Sequence, residues 1–319
     1  MMSPGTLHIG SVRTHVLSDG IYWTDGGGAW GVVPRALWER VSPPDAQGRI
    51  PMELRCLLIE SSAGLVLVDT GYGDKLTPKQ REILNLSGER RLLGEIASLG
   101  YRPEDVRYVI NTHLHADHCG GNTLPAPTTG ADVGQGSPRA YAPTFPNATY
   151  MMQRLELADA MYPNERTRNT YRSENFLPFA HLAHGDDAQE STPGSSVLNI
   201  LSGDTQVTPE VRTIVTPGHT RAHRVVIIES RGESAVFLAD MVGWAVSLER
   251  LAWVPAFDVE PLVSIESKRS LRDWAMRRDA LLLFQHDMTM VTGRLTRDGE
   301  RWRVNPEPLP EPAPFQEAA

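Results

Sequence analysis

Three histidines and an aspartate lie within six residues of one another, directly after a short apolar segment at 107–110 that is predicted to be a strand. Residues 112–118, which contain this cluster, read THLHADH. In an extended chain alternate side chains point the same way, so His113 and His115 can hold one metal ion. The turn that follows can aim Asp117 and His118 at a second ion. A chance cluster of surface histidines is the alternative, but only ten histidines occur in the whole chain.

Three more candidate ligands each follow a predicted strand. His219 lies in the turn TPGHT, Asp240 ends the strand predicted at 235–239, and His286 follows the strand predicted at 281–284. Alone, each is an ordinary turn or strand-end residue. Together with the histidine cluster they indicate that four strands end at one shared site. Imidazole and carboxylate ligands suit zinc, iron, manganese or cobalt.

Strands and helices alternate along the chain, which is typical of an α/β fold. Strands are predicted from apolar runs and period-two alternation at 12–23, 54–60, 65–68, 107–110, 211–215, 225–229, 235–239 and 281–284, the last of these being the final strand. Helices are predicted from their apolar spacing at 89–99, 151–161 and 264–276. Two of the predicted strands are followed by an aspartate, Asp69 and Asp240. This repeat suggests that the chain contains two similar halves.

The chain is predicted to form a single domain over 1–305. A loop begins at the three glycines of 26–28 and runs to Pro34, and a long loop rich in Pro, Gly, Ser and Thr covers 125–146. An insertion at 159–195 can act as a lid. Residues 306–319 are rich in Pro and Glu and are expected to form a loose tail.

Bulk composition narrows the function classes. The net charge is −8, so the basic surplus of a nucleic-acid-binding protein is missing. Two cysteines are too few for a disulfide framework, and no apolar run resembles a signal peptide or a membrane span. We therefore expect a cytoplasmic protein that acts on a small-molecule substrate, with neither nucleic acid nor membrane as partner. A homodimer is one assembly that the sequence leaves open.

Taken together, these motifs resemble the metallo-β-lactamase superfamily over residues 54–287, most of the chain. The matching motifs are DTG at 69–71, the histidine cluster with the following GGN, PGHT at 217–220, Asp240 and His286. The resemblance implies a four-layer αββα sandwich with a dinuclear metal site at one edge of the sheets. It implies that His113, His115 and His219 hold metal one, that Asp117, His118 and His286 hold metal two, and that Asp240 bridges both. Zinc is the expected metal, with iron, manganese or cobalt as alternatives.

The resemblance also implies a hydrolase. A hydroxide shared by two metals would attack an ester or lactone, or a phosphotriester, and Asp117 or a water would return the proton to the leaving group. The branch it resembles contains quorum-quenching lactonases and methyl parathion hydrolase. Lactonases of that branch that cleave acyl-homoserine lactones carry a tyrosine three residues after the bridging aspartate, where this chain has Gly243 and then Trp244.

Two alternative functions stay open at this point. One is a thioesterase resembling glyoxalase II, for which no basic glutathione-binding segment is identified. The other is a mononuclear iron oxidoreductase resembling persulfide dioxygenases, which use only the ligands of metal one.

Further residues near the motifs have weaker assignments. Asp69 either supports a ligand histidine or forms a turn, Cys119 is expected to be a buried apolar residue, and His223 is expected to be structural. His181 and His184 are expected at the surface, and Trp30, Trp38, Met161 and Phe179 are expected either in the core or at the substrate pocket.

Overall fold

Two seven-stranded sheets form the centre of the molecule in the computed structural model, which describes residues 5–86, 90–126, 141–180 and 197–309. In chain order the described strands are β1 (Gly5–Ile9), β2 (Val12–Asp25), β3 (Arg49–Ser61), β4 (Gly64–Val68), β5 (Val106–Ile110), β6 (Thr123–Pro125), β7 (Tyr141–Pro143), β8 (Thr149–Gln153), β9 (Val197–Leu201), β10 (Thr205–Gln206), β11 (Val211–Val215), β12 (Arg224–Ser230), β13 (Glu233–Phe237), β14 (Leu281–Leu283), β15 (Thr292–Asp298) and β16 (Arg301–Pro306).

Helices lie between and after these strands. The described α-helices are α1 (Gly26–Trp30), α2 (Arg35–Trp38), α3 (Pro78–Ile83), α4 (Leu92–Ser98), α5 (Ala116–Cys119), α6 (Arg154–Met161), α7 (Leu177–Ala180), α8 (Ala245–Glu249) and α9 (Pro261–Arg278). None of these described helices is both long and apolar enough to cross a membrane.

The two sheets share one pattern of strand pairing. The first has the order β1-β2-β3-β4-β5-β8-β9 and the second β10-β11-β12-β13-β14-β15-β16. In each, an antiparallel hairpin (β3-β4 or β12-β13) is followed by a parallel neighbour (β5 or β14). Asp69 and Asp240 follow the second strands of these hairpins, and the histidine-bearing segments follow the parallel neighbours. The two halves suggested by the aspartates therefore correspond to the two sheets.

Four layers of secondary structure enclose four apolar cores among the described residues, and three of these cores show how the layers pack. One core lies between the sheets, where Ile59 and Val68 of the first sheet share a cluster with Ile228 and Phe237 of the second. A second core lies on the outer face of the first sheet and includes Leu92 and Ile96 of α4 and Leu157 of α6. A third lies on the outer face of the second sheet against α8 and α9. This is the α/β fold predicted from the sequence, with the αββα layering that the resemblance implied.

The prediction of a loop at 26–34 is wrong for its first half, because residues Gly26–Trp30 form α1. The Asp25 carboxylate accepts a hydrogen bond from the backbone N–H of Gly28 at 2.7 Å and so caps the helix. Trp30 is 1% exposed and packs in an aromatic cluster with Trp244 and Trp253. Burial of this indole offsets the low helix propensity of three consecutive glycines.

The helix predicted at 151–161 begins three residues late. Residues Thr149–Gln153 are β8, which pairs in parallel with β5 on one side and β9 on the other, and α6 begins at Arg154. Pairing on both sides of this buried strand outweighs the local preference of residues 151–153 for helix.

The strand at 281–284 is not the last, because β15 and β16 add a hairpin at the edge of the second sheet. Only a few side chains of this hairpin, such as Leu295 and Val304, are buried and apolar, so its sequence shows only a weak apolar pattern. The hairpin occupies the end of the predicted domain and the first residue of the predicted tail. Leu309 packs against the core between the sheets. Residues 310–319, the central part of the predicted long loop (127–140) and the last part of the predicted lid insertion (181–195) lie outside the described residues.

Candidate metal centre

The histidine cluster lies at the carboxyl end of β5, a central strand of the first sheet. Asp69 anchors the chain at this point, since its Oδ1 accepts from the Thr112 backbone N–H and its Oδ2 from the Thr112 hydroxyl, both at 2.8 Å. His113 follows in a bend, His115 has extended backbone, and the short helix α5 then carries Asp117 and His118. All three histidines of the cluster are at most 6% exposed. The strand and the turn follow each other in the order that the sequence predicts.

His219 is presented by a tight turn at the end of β11. Gly218 has a φ of +139°, and a Cβ there would collide with Ser264 of α9, so glycine is required at this position. The Gly218 N–H donates to the Thr220 carbonyl at 2.9 Å and closes the turn around the histidine. The imidazole consequently points at the histidine cluster, with its Nε2 3.1 Å from Nδ1 of His115.

Asp240 and His286 come from the second sheet. Asp240 lies in a 3-10 turn (Ala239–Val242) after β13, and His286 follows β14. Because β13 and β14 are parallel neighbours, their carboxyl ends meet at one edge of the sheet. The Nδ1–H of His286 donates to the Glu53 carbonyl at 2.7 Å, so Nε2 faces the other candidate ligands.

The seven predicted ligands fall into two groups. In each group one ligand atom from every residue lies within 4.8 Å of those of the others. The first group is His113, His115, His219 and Asp240, and the second is Asp117, His118 and His286. The structure therefore brings together every residue that the sequence analysis put forward as a ligand.

Asp240 faces both groups with different oxygens. Its Oδ2 lies 3.0 Å from Nε2 of His219 and 3.8 Å from Nε2 of His113. Its Oδ1 lies 2.7 Å from Nε2 of His286 and 3.3 Å from Nε2 of His118. A carboxylate with one oxygen toward each group has the arrangement needed to bridge two cations.

Hydrogen bonds fix the far side of three ligand rings. Nδ1 of His118 lies 2.9 Å from Oδ2 of Asp69, and Nδ1 of His219 lies 2.8 Å from Oδ1 of Asp258. The Glu53 carbonyl does the same for His286. Such partners set the tautomer and orientation of a metal-binding imidazole, and leave the opposite nitrogen free to bind. Of the two readings of Asp69, the geometry matches support of a ligand histidine.

The donor atoms at the centre fit divalent cations. Among the described residues, Nε2 of His113 is buried without a hydrogen-bond partner, and the buried Nε2 atoms of His118 and His286 and Oδ1 of Asp240 lie near other candidate ligands but form no hydrogen bond of good geometry. Buried polar atoms without partners are rare in proteins, and a cation is one group that satisfies them. Imidazole and carboxylate donors suit zinc and its neighbours. Cys119 is outside the set, because its buried Sγ donates to the Leu114 carbonyl.

The charges around each histidine of the site lower the pKa of some and raise the pKa of others. Burial and the neighbouring imidazoles hold the pKa of His113 well below its usual value, and burial followed by His219 lowers the pKa of His115 to about 3. Burial also disfavours charge on His219, but Asp240 and Asp258 outweigh it and raise the pKa to about 10. Burial alone would raise the pKa of Asp240, yet the surrounding histidines hold it well below its usual value. The carboxylate is thus kept charged, and a cation there would compete with protons on His219.

Three residues that position the site were missed in the sequence. Asp258 lies 39 positions from His219, which it orients. The Tyr22 hydroxyl donates to Oδ2 of Asp117 at 2.9 Å, from a strand 95 positions away. The buried Glu156 carboxylate accepts from the Leu114 N–H, the Tyr171 hydroxyl and the Thr220 hydroxyl, and so connects segments that carry three ligands. No local spacing marks any of them, since each contact forms only when distant elements pack.

The remaining candidates lie mostly behind the site. His223 is fully buried, with Nδ1 2.9 Å from the Thr216 hydroxyl and its ring 5.2 Å from that of His113. Trp30, Trp38 and Phe179 are buried in the cores, whereas Met161 is 39% exposed. His181 and His184 lie outside the described residues.

Comparison with known proteins gives one family. The sequence model of the metallo-beta-lactamase superfamily matches residues 55–286. An N-acyl homoserine lactonase from Bacillus cereus is 28% identical over 249 residues, 75% of this chain and 82% of that protein. A probable metal-dependent hydrolase from Staphylococcus aureus superposes with a TM-score of 0.78 at 25% identity, over 94% of this chain and 99% of that one. AidC, a dizinc quorum-quenching lactonase, shares the fold with a TM-score of 0.71 at 16% identity, over 96% of this chain and 98% of its own.

Proposed function

The chain belongs to the metallo-beta-lactamase superfamily, and we propose that it is a hydrolase with two metal ions that cleaves an ester or lactone bond. The observation that carries the proposal is the position of Asp240, whose two oxygens face two different groups of ligands. A site for a single metal has no need of the second group, Asp117, His118 and His286. This favours hydrolysis over the mononuclear oxidoreductase alternative.

The two groups have separate roles in the proposal. His113, His115 and His219 would hold metal one, Asp117, His118 and His286 would hold metal two, and Asp240 would bind both. Zinc is the proposed metal because imidazole and carboxylate donors suit it and the structurally similar lactonase AidC is a dizinc enzyme. Two such cations supply Lewis acidity, which makes water nucleophilic near neutral pH and polarises a carbonyl oxygen.

The side chains of the site provide the rest of the chemistry. Asp240, held ionised by His118 and His286, balances the positive charge that the site collects. Asp117 belongs to the second group, with its Oδ2 near His118 and His286, and would be the carboxylate that passes a proton to the leaving oxygen. No serine or cysteine nucleophile is needed.

A lactone is the proposed form of the ester because the Bacillus cereus relative is named as an N-acyl homoserine lactonase. Gly243, which stands where the acyl-homoserine lactonases of this branch have a tyrosine, affects which lactones the site is expected to accept. This residue lies against His286, and a side chain there would begin 3.7 Å from the imidazole. Acyl-homoserine lactones and simple lactones are therefore tested separately.

We propose the cytoplasm as the site of action, supported by two buried cysteines that are both unpaired.

The experiment is a substrate screen with protein reconstituted with zinc. The panel contains simple lactones, acyl-homoserine lactones, aryl esters, glutathione thioesters and aryl phosphotriesters, and His118→Ala is the control. We expect hydrolysis of lactones or esters by the wild type, and its loss in the variant. Turnover of thioesters alone would instead support the glyoxalase-II-like alternative, and oxygen consumption with a persulfide by an iron-loaded protein would support the oxidoreductase.

A further inference from the structure

A tyrosine hydroxyl reaches into the second ligand group. Tyr22 of β2 donates a hydrogen bond to Oδ2 of Asp117 at 2.9 Å. The same oxygen lies 3.5 Å from Nε2 of His118 and 3.9 Å from Nε2 of His286. The phenol therefore contacts the oxygen of Asp117 that faces the candidate metal, and its hydroxyl lies at the edge of the reacting centre.

The ring of Tyr22 is held in a fixed position. It packs edge-to-face on Tyr72, with centroids 5.2 Å apart, and on His286, with centroids 6.1 Å apart. The residue is 6% exposed, and its backbone pairs with Met52 in β3. A donor fixed in this way reorganises little when charge develops beside it.

Few other donors can serve this side of the site. Gly243, which lies against His286, has no side chain. Within the described part of the chain, no second hydroxyl hydrogen-bonds to Asp117 or to Asp240. A leaving oxygen on the side of Asp117, His118 and His286 would thus have beside it the one hydroxyl of the described residues that hydrogen-bonds to Asp117, that of Tyr22.

We propose that Tyr22 is a catalytic hydrogen-bond donor to the leaving oxygen, and that it adapts the site to esters and lactones whose leaving group is an alkoxide. The inference rests on the proposed function. An alkoxide is a strong base and needs stabilisation as the bond breaks, whereas a nitrophenolate is a good leaving group without a donor.

In the step itself, the oxygen of water forms a bond to the carbonyl carbon, and the bond from that carbon to the leaving oxygen breaks. The electron pair of the broken bond stays on the leaving oxygen, which receives a proton that originates from the water. Tyr22 keeps its own proton and only shares it in a hydrogen bond, first with Asp117 and then with the leaving oxygen. The products are a carboxylic acid and an alcohol, which are one hydroxy acid when the substrate is a lactone.

The test compares Tyr22→Phe with Tyr101→Phe, a control that removes a tyrosine hydroxyl whose partners, Glu60 and Arg13, lie outside the two ligand groups. Zinc-loaded proteins are assayed on esters of one acid with leaving groups from alkyl alcohols to nitrophenol, and on a lactone. For Tyr22→Phe we expect kcat/KM to fall by about 100-fold on alkyl esters and the lactone, mainly through kcat, as for removal of one donor to a developing oxyanion. The nitrophenyl ester should be little affected. Tyr101→Phe should resemble wild type on all substrates.

Zinc content, measured by elemental analysis after dialysis, is the second readout, and both variants should retain the wild-type stoichiometry. Loss of a zinc ion from Tyr22→Phe, or an equal rate loss across all leaving groups, would overturn the inference and make the residue only a support for Asp117. Unchanged rates in Tyr22→Phe would overturn it as well. A wild-type protein that binds two zinc ions but hydrolyses no ester or lactone would overturn the proposed function, and this inference with it.

Discussion

Oδ1 of Asp240 lies 2.7 Å from Nε2 of His286. The two residues follow neighbouring parallel strands of one sheet, β13 and β14. The first sheet repeats the arrangement, because Asp69 follows β4 and the histidine cluster follows β5. In the first sheet, however, the aspartate lies behind His118 and orients it. The same strand ends thus supply a candidate bridging carboxylate in one half and a support for a ligand in the other.

Asp240→Asn keeps the shape of the side chain but removes its charge and one good metal-binding oxygen. We expect metal two to be lost first, because it would keep two imidazoles and Asp117, whose Oδ2 already accepts a hydrogen bond from Tyr22, whereas metal one would keep three imidazoles. Turnover should fall by about 1000-fold, equivalent to about 4 kcal/mol of barrier. Activity and metal content measured at fixed free zinc test this. Full activity with a single metal ion would remove the basis for two-metal hydrolysis and favour the oxidoreductase alternative.

Asp69 and Asp258 should act on different metals, because each hydrogen-bonds to a histidine of a different group. In Asp69→Asn we expect the affinity for metal two to fall by about 10–100-fold, and in Asp258→Asn that for metal one by a similar factor. Stepwise zinc titration against a chromophoric chelator measures both affinities, with anomalous diffraction to identify the weakened site. Each variant is the control for the other. Equal weakening of both metals in both variants would contradict the assignment of separate supports.

His115→Ala should abolish nearly all hydrolysis while the fold survives. The residue is a candidate ligand of metal one, and the apolar cores form without it. The measurements are the circular dichroism spectrum, the thermal unfolding midpoint and the rate on the best substrate. His8→Ala is a matched control, because His8 is exposed on β1. A variant that keeps both metals and its rate would show that His115 is no ligand, and one that cannot fold would indicate that the metals have a structural role.

Most of the candidate centre could be predicted because its signals are local. His113 to His118 are six consecutive residues after an apolar strand, and Gly218 before His219 marks a turn by its residue type. The family and the layered fold, predicted from these motifs, are confirmed. By contrast, Tyr22 and Asp258 reach the site only through tertiary packing, so their own sequence neighbourhoods carry no signal.

The errors in secondary structure have the same origin. The last three residues of β8 were predicted as the start of the helix at 151–161, whereas pairing with β5 and β9 decides their conformation. The edge hairpin of β15 and β16 was missed because its surface is mostly polar. Its two strands are stabilised by pairing with β14 and with each other, and sequence periodicity does not report such pairing.

The metal content of the purified chain tests the account most directly. Protein prepared without chelator and dialysed against limiting zinc should contain two zinc ions per chain by elemental analysis. The His118→Ala variant, which lacks a candidate ligand of metal two, should contain one. A wild-type stoichiometry of one that added zinc, manganese, cobalt or iron does not raise would contradict a dinuclear centre.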